Sequence, residues 1–226
     1  MASELWVCRL GTVEYTEAAT LQERLRERVR EGELPDLMLL LEHPPVYTLG
    51  RRSQPGELPL GEEHYRARGI DVVRTRRGGK LTYHGPGQLV GYPIVHVTDV
   101  PAYVDRMQRA LIAALADAGI EARSRPGIQH TGVWVRDRKI ASIGVHVSRG
   151  VSMHGFALNV DNDLEPFRQV VACGLPDVEM TSVAREGSPE GIGCLSKRVA
   201  YRFCGALGRR QRLVTPRRIG AVPVAA

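Results

Sequence analysis

Arg76-Arg77-Gly78-Gly79-Lys80-Leu81-Thr82-Tyr83-His84-Gly85-Pro86-Gly87-Gln88 is the stretch on which the reading of this chain turns. Two adjacent glycines let the backbone pass close to another group, because neither carries a β-carbon. After them Thr82 and His84 alternate with Leu81 and Tyr83, the period of a strand whose polar face can line a pocket. Gly85-Pro86-Gly87 then forces a tight turn. Taken alone, the segment reads equally as a glycine-broken hairpin or as the wall of a site. It is not a phosphate loop: G-x-x-x-x-G-K-[ST] ending on Lys80 needs glycine where Arg74 stands and a hydroxyl where Leu81 stands. A serine-hydrolase elbow is also missed, since Gly150-Val151-Ser152-Met153-His154 ends in His.

Around this stretch, strands are expected over 4–10, 37–42, 72–74, 80–84 and 89–95. A helix capped by Thr16 should run to Arg30, and Pro101 opens another whose face is Val104, Met107, Leu111, Leu115 and Ala118. Residues 133–136 and 139–147 suggest a hairpin turning at Asp137-Arg138, and 152–160 a further strand. A helical turn is expected over 166–171, Cys173 in a loop, and a helix from Lys197 to about Gly208. Hairpins outnumber strand–helix–strand units, which implies an α+β fold: a mixed, largely antiparallel sheet flanked by helices. One domain over 1–226, with a basic C-terminal segment 197–226, is the expected organisation.

The 226 residues are 43% hydrophobic and 25% charged, ordinary for a globular protein. No stretch approaches the roughly 20 apolar residues of a membrane span, and no secretory signal opens the chain, so a cytoplasmic location is expected. Cys8, Cys173, Cys194 and Cys204 are scattered, without zinc-ligand spacing; no metal is implied. Only three of the 31 basic residues are lysines, at 80, 139 and 197, and a retained Lys hints at a position where a proton must be given up. From Lys197 onward there are eight basic residues and no acidic one, a segment able to attract an acidic partner. Aromatic residues are 5% and none interleaves with these arginines as a stacking motif, so no nucleic-acid partner is expected.

Arg77 to Pro93, read whole, resembles the signature of the lipoyl(octanoyl)transferases. Four more stretches agree in order: Glu42-His43-Pro44-Pro45-Val46-Tyr47-Thr48-Leu49-Gly50, Arg138-Lys139-Ile140-Ala141-Ser142-Ile143-Gly144-Val145, His154-Gly155-Phe156-Ala157-Leu158-Asn159 and Ala172-Cys173-Gly174-Leu175. One departure is Ala172, where the family has Pro. The resemblance implies the biotin/lipoate protein ligase catalytic fold. It implies octanoyl transfer from octanoyl-acyl carrier protein, through a Cys173 thioester, to a lysine of the lipoyl domains of 2-oxoacid dehydrogenases and of the glycine cleavage protein.

By the same resemblance Lys139 partners Cys173. Arg77, Gly78, Gly79, Lys80, Leu81, Thr82, Tyr83, His84, Ser142, Ile143, Gly144, Gly155, Phe156 and Ala157 line the acyl pocket, with His154 in support. No cofactor is implied and no membrane. The chemistry is coherent: the thiolate attacks, and a neighbouring lysine stabilises it or takes its proton. Both partners of the reaction are acidic in this reading, and the tail and the Arg74-Arg76-Arg77 cluster are basic enough to dock them. The rival is an ATP-dependent lipoate or biotin ligase, which would not need Cys173.

Overall fold

Leu37-Met38-Leu39-Leu40-Leu41-Glu42 is an unbroken apolar run because both of its faces are covered. The computed structural model describes residues 3–174 and 178–221, and the side chain of Cys173 lies outside the described residues. The run is strand β2 (Leu37–Glu42), with Met38 and Leu40 in one core and Leu37, Leu39 and Leu41 in another on the opposite side. Strand β1 (Glu4–Thr12) divides the same way, Leu5 and Val7 against Trp6 and Cys8. Burial on both faces is why neither strand reads as simple alternation of apolar and polar.

Helix α1 (Tyr15–Arg30) links β1 to β2 as a crossover between parallel neighbours and covers one face. Its N-cap is Glu14, without a side-chain bond, so Thr16 lies inside the helix rather than capping it. Strands β3 (Val46–Leu49), β4 (Asp71–Arg74) and β5 (Thr82–His84) form a small separate sheet in the order β4-β3-β5, with the short α2 (Glu62–Arg66) beside it. Strand β6 (Gln88–Ile94) returns to the large sheet, and α3 (Val100–Ala116) follows.

The Asp99 side chain caps α3 by accepting from the Ala102 N–H, at 3.0 Å, and Pro101 sits in the first turn. Its buried face is Tyr103, Met107, Ala110, Leu111, Ala114 and Leu115; Val104 is half-buried and Ala118 falls beyond the helix end.

Strands β7 (Gly132–Val135), β8 (Arg138–Ser148) and β9 (Val151–Asn159) complete the antiparallel half. The β7–β8 turn is Arg136-Asp137, one residue earlier than expected, with Arg136 at φ +51°. After α4 (Glu165–Arg168) and a 3₁₀ turn (Ala172–Gly174) come α5 (Ile192–Ala206) and β10 (Arg210–Val214). The seven-stranded order is β10-β1-β2-β6-β9-β8-β7; β10–β1 and β1–β2 are parallel and the other four pairings antiparallel. Helices α3 and α5 cover the second face. The sheet is thus mixed and largely antiparallel, as the sequence implies. No helix among the described residues is long and apolar enough to cross a membrane.

The basic C-terminal segment differs from expectation. Its helix begins at Ile192, and β10 pairs with β1. Its arginines face carboxylates: Arg198 with Glu190, Arg202 with Asp117, Arg209 with Asp36, and Arg210 and Arg212 with Glu4. Cys8 and Cys204 are buried in the two cores, and burial pushes each thiol up to about 11.

A third core holds Tyr47, Tyr65, Leu81, Tyr83 and Phe167. Tyr47 donates its hydroxyl to the Pro166 carbonyl at 2.6 Å, and Tyr65 to that of Gln169 at 2.8 Å. The small sheet thereby anchors the segment that leads to Cys173.

Candidate active site

The glycines of the signature act as points of backbone approach. Gly78 crosses β8 and donates its N–H to the Val145 carbonyl at 2.9 Å. A β-carbon on Gly144 would lie 2.8 Å from the Gly78 carbonyl oxygen, and one on Gly50 would lie 2.8 Å from Arg77 Nη1. Only glycine fits where three backbones converge. On β9, a β-carbon at Gly155 would strike the Gly91 carbonyl, and Gly91 itself lies beneath the Phe156 ring.

These approaches frame a cavity of about 740 Å³, within the range of small-ligand sites. Of the residues expected from the sequence, Arg77, Gly78, Gly79, Lys80, Thr82, His84, Lys139, Ser142, Ile143, Gly144, His154, Gly155, Phe156 and Ala157 line it. So does Gly174, next to Cys173. Leu81 and Tyr83 do not: both are buried in the third core on the other face of β5. Strand alternation sends Thr82 and His84 to the cavity and Leu81 and Tyr83 away from it, so Leu81 is not a wall of the site.

Lys139 is the second residue of β8 and only 3% exposed. Its Nζ lies 5.5 Å from the Trp134 ring centroid. Gly132 makes room for it, since a β-carbon there would come 2.7 Å from Lys139 Cε. The Lys139 N–H donates to the Glu179 carbonyl at 2.8 Å, and its carbonyl accepts from the Thr181 N–H at 3.0 Å. The segment that follows the Cys173 turn is therefore stitched to β8 at Lys139. Of the nucleophile proposed from the sequence, the Cys173 backbone lies in the Ala172–Gly174 turn.

Beneath the cavity three buried histidines are held neutral. Burial lowers His43 to about 4 and, with Arg77 next in size, His154 to about 3; His84 lies well below the ordinary value for burial first and then His43 and Arg77. Partners fix the tautomers. His43 Nδ1 donates to the Val13 carbonyl at 2.6 Å, so its Nε2 accepts from the Tyr92 hydroxyl at 2.7 Å. Gln88 commits its amide nitrogen to the Tyr83 carbonyl and Asn159 Oδ1, which leaves its oxygen to accept from His84 Nδ1 at 2.8 Å. His84 Nε2 then faces the Thr48 hydroxyl at 3.4 Å.

The same hydroxyl accepts from Arg77 Nε at 3.2 Å and Nη2 at 2.8 Å, while Arg77 Nη2 also reaches the Thr48 carbonyl at 2.6 Å. Arg77 is thus a buried strut holding β3 to Gly78. His154 has φ +58°, and its N–H is fixed by Gln22 Oε1 at 2.7 Å. Its Nδ1 and the Thr82 hydroxyl lack hydrogen-bond partners among the described residues and belong to side chains that line the cavity.

A model of the lipoyl protein ligase A/B catalytic domain matches residues 14–199. The chain belongs to this family. An octanoyltransferase of Mycolicibacterium smegmatis is 45% identical over 215 residues, 90% of each chain. Among solved structures, a bi-partite lipoate protein ligase from Thermoplasma acidophilum has a TM-score of 0.73 over 95% of this chain and 87% of that one, at 18% identity. A biotin protein ligase from Aquifex aeolicus has a TM-score of 0.50 over 92% and 71%, at 13% identity. These structural likenesses establish the fold, and they match the ligase-type catalytic fold implied by the sequence.

Within this family framework, sequence reasoning missed Tyr15, Tyr92, Val104 and Gln108, which also line the cavity. Tyr92 stands inside the signature stretch, where its place opposite His43 was the available signal. The others come from helices whose approach to the cavity no local pattern records.

Proposed function

We propose that this chain transfers an octanoyl group from octanoyl-acyl carrier protein to the target lysine of lipoyl domains, through a thioester on Cys173. The observation that carries the reading is that buried Lys139 and Gly174, the neighbour of Cys173, line one cavity whose walls include Ile143, Phe156 and Ala157. That is the arrangement a methylene chain ending at a reactive thiol requires. The octanoyltransferase of M. smegmatis, alike over 90% of both chains, supports the choice of acyl group.

In the first step the Cys173 thiolate attacks the donor's thioester carbonyl. A new C–S bond forms, the old one breaks, and the released carrier thiol takes up the proton. In the second step the neutral amine of the acceptor lysine attacks the enzyme thioester. The C–N bond forms, the C–S bond breaks, and Lys139 takes the amine proton and returns one to the thiolate. Thioester exchange is near neutral in energy and amide formation is downhill, so no nucleotide is consumed. Neutral His43, His84 and His154 leave Lys139 and Lys80 as the proton-bearing cations closest to the Cys173 turn, a division of labour consistent with the scarcity of lysine.

The test is intact-protein mass spectrometry after mixing with octanoyl-acyl carrier protein in the absence of ATP. A hydroxylamine-labile octanoyl adduct on Cys173, discharged by a lipoyl domain, is expected, and Cys173→Ala should abolish it. Modification of the lipoyl domain only with free octanoate and ATP would replace this reading with the ligase one.

A further inference from the structure

Charge pairing decides which arginines remain available to a partner. Arg74 is paired with Glu62 at 2.8 Å, Arg77 is buried on Thr48, and the C-terminal arginines named above face Glu190, Asp117, Asp36 and Glu4. Paired charges cancel each other's field at a distance.

At the cavity a different set is left. Arg51 donates its N–H to the Arg77 carbonyl at 3.0 Å and Arg52 to that of Gly79 at 3.1 Å, which brings both beside Arg76. All three are exposed, and none is ion-paired with a carboxylate among the described residues. Arg52 lines the cavity itself. On the neighbouring strand β8, His146 is held below its ordinary pKa by burial and then by Arg26, Arg51 and Arg76, with Glu23 opposing. The positive field therefore gathers at one edge of the cavity.

We propose that Arg51, Arg52 and Arg76 form an anion-docking rim for the acyl donor, receiving the phosphate that joins a thioester arm to its carrier protein. The inference rests on the octanoyl-transfer reading above and adds where the donor docks. Donor and acceptor differ in the charge they carry to the entrance. The donor arm brings a neutral acyl chain and an anionic phosphate. The acceptor brings the ammonium of its target lysine, which three unpaired arginines oppose. Guanidinium forks suit phosphate oxygens. Because the rim is exposed, its effect belongs in the capture of substrate and in salt dependence.

The experiment compares octanoyl-acyl carrier protein, octanoyl-4′-phosphopantetheine and octanoyl-pantetheine as donors to the full chain and to the Arg51→Gln/Arg76→Gln double variant. Both substitutions are at exposed side chains. The expected result is that kcat/KM for the two phosphate-bearing donors, divided by that for octanoyl-pantetheine, falls about 10-fold in the variant. The KM for the lipoyl domain should not rise. Equal losses on all three donors, no loss on any, or a rise confined to the lipoyl-domain KM would overturn the proposal. A loss on carrier protein alone would overturn the phosphate assignment. Should the unsubstituted chain use none of the three thioesters, the octanoyl-transfer reading itself fails, an outcome visible without any variant.

Discussion

The Lys80 side chain lies across Gly174, so that a β-carbon built on Gly174 would sit 2.5 Å from Lys80 Nζ and 2.7 Å from its Cε. Gly174 also holds φ +65°, a conformation that side chains rarely adopt. Gly174→Ala must therefore displace Lys80 and strain the turn that carries Cys173. The strain is worth about 1–3 kcal/mol, localised to a short 3₁₀ turn. Octanoylation of the enzyme, followed by rapid-quench mass spectrometry, should slow about 10-fold or more, with little change in melting temperature. A variant that acylates at the normal rate would remove Lys80 and Gly174 from the account of the site.

Lys139→Arg separates the two duties proposed for Lys139. Arginine keeps a cation beside the thiol and cannot take a proton near neutral pH. The thioester on Cys173 should still form, whereas its discharge to a lipoyl-domain lysine should fall by about 10²–10⁴-fold, the usual worth of a general base. Single-turnover measurements of each half-reaction read this directly. Equal loss of both halves would mean that proton transfer, not charge alone, also governs the first step.

The neutral histidines predict a pH dependence of stability. His43 titrates at about 4 and His154 at about 3 in the folded chain, against an ordinary value of 6.5. As pH falls below 6.5 the unfolded chain takes up protons that the folded chain refuses. Stability present above pH 6.5 is therefore lost progressively on acidification towards 4 and 3. Each histidine contributes about 1.4 kcal/mol per pH unit, or about 2 kcal/mol each at pH 5. Urea unfolding between pH 7.5 and 5 should show this slope; a flat profile would mean that these rings are accessible and readily charged.

What the sequence disclosed follows from the range of the interactions concerned. Leu37 to Glu42 and the α3 periodicity were legible because burial imposes them residue by residue. Gly78, Gly79, Gly144 and Gly155 were found through the motif and explained only by the fold, where each meets a backbone from another segment. Leu81 was expected at the cavity because it is apolar, although the alternation of Thr82 and His84 already places it on the opposite face. The basic tail was misjudged because a count of charges cannot see partners such as Asp117 and Glu4, 85 and 208 residues away. Gly132 is required by the Lys139 side chain across a bulged hairpin, a need no local pattern announces.

Gly91 supports the Phe156 ring, which in turn lines the cavity. A β-carbon at Gly91 cannot coexist with the ring as placed, and Gly91→Ala should drive Phe156 towards the cavity. Overpacking of this kind costs about 1–3 kcal/mol, visible as a lower melting temperature. A shallower cavity should also favour shorter chains. The ratio of kcat/KM for octanoyl to hexanoyl donors is expected to fall about 10-fold, in line with the worth of a methylene in an apolar pocket. An unchanged ratio would place the acyl chain elsewhere.

Thr48 carries the connection between Arg77 and His84, and removing its hydroxyl tests whether that connection matters. Thr48→Val keeps the shape but leaves Arg77 Nε without its 3.2 Å acceptor and His84 Nε2 without its donor, in a side-chain environment that is 0% exposed. Leaving buried polar groups unpaired costs about 1–3 kcal/mol. Arg77 also bonds the Gly78 carbonyl at 3.1 Å, so a loosened guanidinium loosens the glycine pair that walls the cavity. The Thr48→Ser variant loses only a methyl group and retains the hydroxyl. Thr48→Val should therefore lose about 10-fold more kcat/KM than Thr48→Ser, with the loss expressed mainly in KM for the acyl donor. If the two variants match, Arg77 holds Gly78 and Gly79 without help from Thr48, and the buried chain from Arg77 through His84 to Gln88 serves packing alone.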